Sequence, residues 1–177
     1  MNNIEIWNKK ILAKDILYKK RLLNIFNVPH FENICLRINN KKEIPKKQST
    51  LLSFGLLKVL TNQEPKICFA KKSIVNFKIQ KEMPLGCKLT LRKERKNLFL
   101  EMFLIFIFPN IQTELKKSGN GFNIGVKSLL LLPQLTIVRG YNLNNFGFNI
   151  TFNLNTKNFD LILSGFQIRR NYEKTKN

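Results

Sequence analysis

Acidic groups, histidine and alanine are scarce in this chain, and the first two shortages exclude whole classes of chemistry. Only 11 of the 177 residues are Asp or Glu. Asp15 and Asp160 are the only aspartates, and His30 is the single histidine. Acid–base and nucleophilic catalysis need paired carboxylates, or a base within reach of a nucleophile. Two distant aspartates and one histidine supply neither. No Walker A or GxGxxG segment occurs, and Gly119-Asn120-Gly121 reads as a turn. An enzyme is therefore not expected, and neither is a cofactor. Cysteine is sparse too. Cys35, Cys68 and Cys87 show no CxxC spacing, so neither a disulfide framework nor a zinc site is indicated. A reducing compartment follows, with each thiol read as a small buried apolar group in a strand. Long apolar runs are missing as well. The longest, Leu98 to Phe108, is 11 residues and includes Glu101, whereas spanning hydrocarbon takes roughly 20. It reads as a buried core helix. No Arg-rich, acid-poor presequence or short signal core opens the chain.

Positive charge is what the chain has in excess. There are 31 Lys and Arg, for a net charge of +20 and a pI near 10.2. Such a field attracts polyanions, with nucleic acid as the first candidate and an anionic membrane surface as the second. The cations do not form one tail. They recur at Lys9-Lys10, Lys19 to Arg21, Lys41-Lys42, Lys46-Lys47, Arg92 to Lys96, Lys116-Lys117 and Arg169-Arg170, besides a central loop. That spread fits a folded protein lying against RNA on several sides, although many of these side chains will only solvate helix faces.

Patterning predicts one α+β domain. Residues 4 to 26 place Ile4, Trp7, Ile11, Leu12, Ile16, Leu22 and Leu23 near helical spacing, until Val28-Pro29 interrupts. Phe31, Ile34, Leu36 and Ile38 predict a first strand. Ser49 is placed to cap a helix over about 50–61, with Leu51, Leu52, Leu56, Leu57 and Leu60 buried. Two strands follow, Pro65 to Ala70 and Leu85 to Arg92, with a basic loop between them. The core helix runs from Lys93 to Pro109, and 109–121 reads as loop. Asn123 to Leu132 can form a strand that Pro133 ends. Phe148, Ile150, Phe152 and Leu154 alternate with polar residues, which predicts a half-exposed strand. A last short helix, capped by Thr156 or Asn158, stops at Gly165. The expected product is an antiparallel sheet with helices on one face, the other face open, and a split βαβ order. The boundaries expected are an N-terminal helical segment at 1–27, the domain at 28–168 and a basic tail at 169–177.

The most telling stretch is 61–95, TNQEPKICFAKKSIVNFKIQKEMPLGCKLTLRKER. Its basic loop carries Lys71, Lys72, Ser73, Asn76, Lys78 and Lys81, with Ile74, Val75, Phe77 and Ile79 interleaved. A long loop in a compact domain is usually functional or disordered, and this mixture of cations and apolar groups disfavours disorder. The stretch resembles the fifth protein of the large ribosomal subunit, of the bacterial and organellar type. That family reads TGQKP, then AxKSIxxFK, then MPxGxxVTLR. The matching residues here are Thr61, Gln63 and Pro65; Ala70, Lys72, Ser73, Ile74, Phe77 and Lys78; and Met83, Pro84, Gly86, Thr90, Leu91 and Arg92. Weaker matches at Val28-Pro29, Asn123 to Lys127, Leu132-Pro133, Gly147 to Thr151 and Gly165-Phe166 extend the resemblance over roughly 20–168.

The resemblance implies a structural protein of the central protuberance that binds 5S rRNA and the large rRNA, among neighbouring ribosomal proteins. Its implied rRNA-contact set is Arg37, Gln63, Lys88, Thr90 and Arg92. The family usually carries asparagine at the position of Arg37, so a short amide is traded for a long cation there. The loop is implied to reach P-site tRNA. Lys71, Lys72, Lys78 and Lys81 would meet phosphates, with Ser73 and Asn76 as polar contacts. Phe77 would pack or stack, and tucking the loop is the commoner role for such a residue. The GRGN motif of the family survives only as Gly119-Asn120-Gly121. Heavy use of Asn, Lys, Ile and Phe with only Ala13 and Ala70 points to an AT-rich genome. A mitochondrion-encoded chain is the first expectation, a plastid or an AT-rich bacterium the alternatives. A general RNA chaperone and a peripheral membrane-binding protein remain as competing readings; membrane is not the expected partner.

Overall fold

The computed structural model describes residues 3–39, 47–110, 115–129, 132–136, 147–155 and 159–166. Six strands form one sheet: β1 (Phe31–Asn39), β2 (Lys66–Phe69), β3 (Pro84–Leu91), β4 (Lys116–Ser118), β5 (Gly121–Val126) and β6 (Phe148–Leu154). Their order is β2-β3-β1-β6-β5-β4. The helices are α1 (Asn3–Trp7), α2 (Ala13–Lys20), α3 (Lys47–Thr61), α4 (Lys93–Met102), α5 (Pro133–Thr136) and α6 (Phe159–Gly165). The fold is α+β with an antiparallel sheet, as the patterning predicts. Packing groups the chain into two units whose boundary cuts across the strands. One holds residues 1–34, 91–124 and 151–177, and the other holds 35–90 and 125–150.

In the second unit β1 enters α3, α3 leads to β2, and β3 returns between β1 and β2. This is the split βαβ order. β2 and β3 pair antiparallel, with Lys66 opposite Lys88 and Cys68 opposite Gly86. Strand alternation sends Leu36, Ile38, Cys87 and Leu89 into the core, where Leu56, Leu57 and Leu60 of α3 are also buried. Gly86 is needed for close packing of β3 on β1, because a Cβ there would stand 2.3 Å from the Ile38 carbonyl oxygen.

The first unit is built around phenylalanine. Phe31, Phe103, Phe122 and Phe152 are all buried. Phe122 stacks on Phe152 at 4.6 Å between ring centres, and Phe103 meets Phe152 at 5.0 Å. Such pairs contribute about 0.5–1.5 kcal/mol beyond their buried area. β6 keeps the predicted alternation, with Phe148, Ile150, Phe152 and Leu154 buried.

Several local expectations are corrected. The N-terminal helix is not continuous to residue 26. A π turn at Asn8–Leu12 separates α1 from α2, and Arg21 ends α2 in the left-handed region at φ 50°. The extra residue in the π turn resets the buried face onto Ile4, Leu12 and Ile16, leaving Trp7 and Ile11 exposed; Leu23, past the end of α2, is exposed as well. Ser49 does not cap α3; the helix begins at Lys47, and Ser49 is buried within it, its carbonyl accepting from the Ser53 hydroxyl at 2.8 Å. Leu51 is 65% exposed rather than buried. A second π turn, Phe103–Ile107, continues α4 and is followed by a 3-10 turn to Asn110. The predicted 109–121 loop contains β4, joined to β5 by a turn with Gly119 at φ 56°. β5 ends at Val126 instead of Leu132. Pro133 opens α5 rather than closing a strand, in keeping with the tolerance of helix starts for a residue without N–H. Thr156, Asn158 and the 137–146 stretch lie outside the described residues.

Candidate nucleic-acid interface

The polar face of the second unit is made by alternation. On β1 the outward positions are Cys35, Arg37 and Asn39; on β3 they are Lys88 and Thr90; on β2 they are Lys66 and Cys68. Arg37, Asn39, Lys66 and Lys88 are exposed, while Cys35, Cys68 and Thr90 are half-buried. Two of these strands, β1 and β3, and the connection from α3 to β2 meet at Thr90. The Gln63 Nε2 donates to the Thr90 carbonyl oxygen at 3.3 Å. The Thr90 Oγ1 lies 3.2 Å from Cys35 Sγ. Gln63 is half-buried on the short connection between α3 and β2, and that position, directly after Asn62 at φ 50°, aims its amide back at β3. The bond to Thr90 uses one amide proton, so a second N–H and the Oε1 acceptor are available in principle. The result is a fixed donor–acceptor set ringed by Arg37, Lys66 and Lys88.

The expectation of three buried thiols is corrected in part. Only Cys87 is buried, at 1% exposure, and its Sγ contacts the Thr50 carbonyl at 3.6 Å. Burial there, with a smaller contribution from Cys68, pushes its thiol pKa up to about 11. Cys35 belongs to the polar face and was the residue that composition could not flag. Asn39 and Lys66 were also missed; alternation from Ile38, and the pairing of Lys66 with Lys88, are the signals that would have found them.

The loop between β2 and β3 is a built hairpin. Ala70 N donates to Met83 O at 2.9 Å, and Glu82 N to Ala70 O at 2.9 Å. Farther out, Ile74 and Ile79 exchange backbone bonds at 2.8 and 3.1 Å. Val75–Phe77 forms a 3-10 turn, and Lys78 takes φ 53° to close it. The Ser73 hydroxyl accepts from Lys81 N at 3.0 Å, so part of its expected capacity for an external partner is used internally. Lys71, Lys72, Asn76, Lys78 and Lys81 are all exposed. Phe77 is 69% exposed, and Val75 more so. Phe77 therefore does not tuck the loop; the Ile74–Ile79 pairing does that work.

No family model matches the chain, but individual relatives do. It is 30% identical to large ribosomal subunit protein uL5m of Reclinomonas americana, over 97% of this chain and 99% of that one. It is 35% identical to uL5 of Lawsonia intracellularis, over 79% and 78%, and 31% identical to uL5 of Geotalea daltonii, over 87% and 88%. The chain belongs to the uL5 family. As a uL5 protein it is a structural constituent of the large ribosomal subunit and not an enzyme, with rRNA and ribosomal proteins as partners. Among the described residues no helix is long and apolar enough to cross a membrane.

The remaining site residue of this uL5 chain is Arg92. It belongs to the first unit and occupies the N-cap position of α4 with extended backbone at φ −135°. Its exposed guanidinium follows directly on β3. Gln63, Thr90, Lys88 and Arg37 are the members of the expected set that fall within the second unit.

Proposed function

We propose that the Gln63–Thr90–Cys35 set docks on 5S rRNA, while Arg37, Lys66, Lys88 and Arg92 hold 5S and large-subunit rRNA phosphates. The observation that carries this is the meeting of three elements on one hydrogen-bonded cluster, surrounded by cations on an open strand face. Amides and hydroxyls held in place suit the 2′-hydroxyls and base edges of the shallow RNA groove. Cations around them supply affinity without sequence information. The Lys71–Lys81 hairpin reaches P-site tRNA as a point-charge finger, with Phe77 and Val75 at its tip. The whole lies in the central protuberance of a mitochondrial ribosome. Similarity to the Reclinomonas protein over nearly the full chain supports that location, as does the Asn- and Lys-rich, alanine-poor composition.

Filter binding to 5S rRNA over a salt series tests the reading. The expected result is a steep salt dependence and a preference for folded 5S rRNA over unrelated RNA of equal length. Equal affinity for unstructured single strands would favour a general RNA chaperone instead. Binding to anionic vesicles that RNA fails to compete away would favour a membrane-surface protein.

A further inference from the structure

The first unit contains a cavity of about 320 Å³ that the rRNA face does not use. It is lined by the N-terminal helical segment, the connection from Ile25 to Phe31, α4 and α6. An apolar cavity of roughly 150 Å³ holds benzene, so this one has room for a fused two-ring system. It also reaches the lower end of the range for small-molecule pockets, about 300–1,000 Å³. Its walls are mainly apolar, with Leu12, Val28, Phe31 and Ile162 buried around it.

Its polar lining is Glu5, Asn8, His30, Lys96 and Asn97, and among these Glu5 and Lys96 supply a carboxylate and an ammonium. The Lys96 ammonium donates to the Phe31 carbonyl at 2.7 Å, which pins it to the wall. Burial lowers its pKa, and the nearby charge of Glu5 opposes that fall. A carboxylate and an ammonium therefore share the lining, one an acceptor only and the other a donor only. The His30 ring is exposed beside them, with its Nδ1 3.2 Å from the Val28 carbonyl.

Guanine matches that arrangement. Its Watson–Crick edge sets two N–H donors, N1–H and the 2-amino group, beside one acceptor, O6. Adenine would turn the N1 lone pair against the carboxylate. Uracil has one donor between two acceptors, and cytosine presents one amino donor beside two acceptors. Apolar walls and an imidazole face suit the flat sides of an unstacked base. We propose that this cavity binds an unstacked guanine, with Glu5 accepting from N1–H and the 2-amino group and Lys96 donating to O6. The site is separate from the 5S rRNA reading and does not rest on it.

The test is a methyl-NMR titration of the full chain with GMP, AMP, CMP, UMP and ribose 5-phosphate, followed at Leu12, Val28 and Ile162. GMP is expected to shift these methyls saturably, with every other probe at least tenfold weaker. Glu5→Gln should erase the preference, because its amide N–H would face guanine donors. Lys96→Met should weaken GMP binding independently, and circular dichroism checks that both variants are folded. Equal binding of AMP and GMP overturns the proposal, as do shifts with ribose 5-phosphate alone or no saturable shift. Phenol occupying the cavity where GMP fails would also overturn it, and would point to an aromatic side chain of a neighbouring protein. The source of the base is decided by the pentamers UUGUU and UUAUU. UUGUU binding more tightly than GMP assigns the site to unpaired guanine in RNA, and UUGUU binding no more tightly than GMP assigns it to free nucleotide.

Discussion

Replacing Lys71, Lys72, Lys78 and Lys81 together by Ala removes four exposed charges from a hairpin that holds its own shape. The backbone bonds at Ala70–Met83 and Ile74–Ile79, and the turn at Val75–Phe77, involve none of the four ammonium groups. Folding stability should change by less than about 0.5 kcal/mol for each position replaced, as for ordinary surface substitutions. Binding should change in a specific way. Each phosphate neutralised by a cation steepens the log–log dependence of affinity on salt by about 0.7 on single strands and about 0.9 on duplexes. Without the four ammonium groups the slope for tRNA would be shallower by about 2.8 to 3.6. Between 50 and 200 mM salt the wild-type advantage over the variant should then shrink roughly 50- to 150-fold, about 2.3 to 3.0 kcal/mol. Fluorescence anisotropy with labelled tRNA across that range reads the slope directly, with 5S rRNA as the second titrant. Parallel wild-type and variant slopes for tRNA would refute the finger. An equal loss of slope for 5S rRNA would refute the division of labour between finger and strand face.

Other expectations are independent of that one. Gln63→Ala removes the bond to the Thr90 carbonyl and should cost about 0.5–1.5 kcal/mol in urea unfolding; the same variant should weaken 5S rRNA binding without altering its salt slope, since no charge is lost. Gly86→Ala drives a Cβ against the Ile38 carbonyl and should destabilise by about 1–3 kcal/mol. Gly55→Ala, exposed within α3 with nothing within 4 Å of the new Cβ, should stabilise by about 1 kcal/mol; opposite signs for the two, measured by thermal melts, are the check. Cys87 remains protonated in the fold up to a pKa of about 11, against 9.0 when unfolded. The unfolded chain therefore binds fewer protons between those values, so stability falls as pH rises from 9 to 11 and is unaffected below that window, by at most roughly 2–3 kcal/mol. The difference in pH dependence between wild type and Cys87→Ala isolates that contribution, and identical slopes for the two would contradict it.

Strand identity was readable because burial on one face imposes a period of two, as at Phe148–Leu154, where apolar and polar residues alternate without a break. The basic hairpin was readable because its cations sit between two such runs. The N-terminal segment misled for a physical reason. A helix wheel assumes 100° per residue, and the π turn at Asn8–Leu12 breaks that assumption, so Trp7 and Ile11 lie off the stripe that Ile4, Leu12 and Ile16 share. Ser49 misled because a hydroxyl before an apolar run is a good cap signal, yet helical backbone here already starts two residues earlier, at Lys47. Gln63 and Thr90 could be named from spacing within the family pattern. Their joint contact with Cys35 could not, because it depends on β3 lying beside β1, a pairing separated by 55 residues. Of the thiols, only Cys87 faces inward; which face a strand residue takes follows from register, and one thiol looks like another in composition.

The π turns at Asn8–Leu12 and Phe103–Ile107 are coils closed by i→i+5 bonds, and each carries one residue beyond what an α turn needs. Excising a single residue inside either segment would let it tighten into an ordinary turn while everything downstream keeps its orientation. The same excision in the middle of α3 would swing the following residues about a quarter of the way round the axis, taking Leu56, Leu57 and Leu60 off their seats. Gene-level shortening by one codon should thus be survivable at two points in this protein where a helix would ordinarily forbid it.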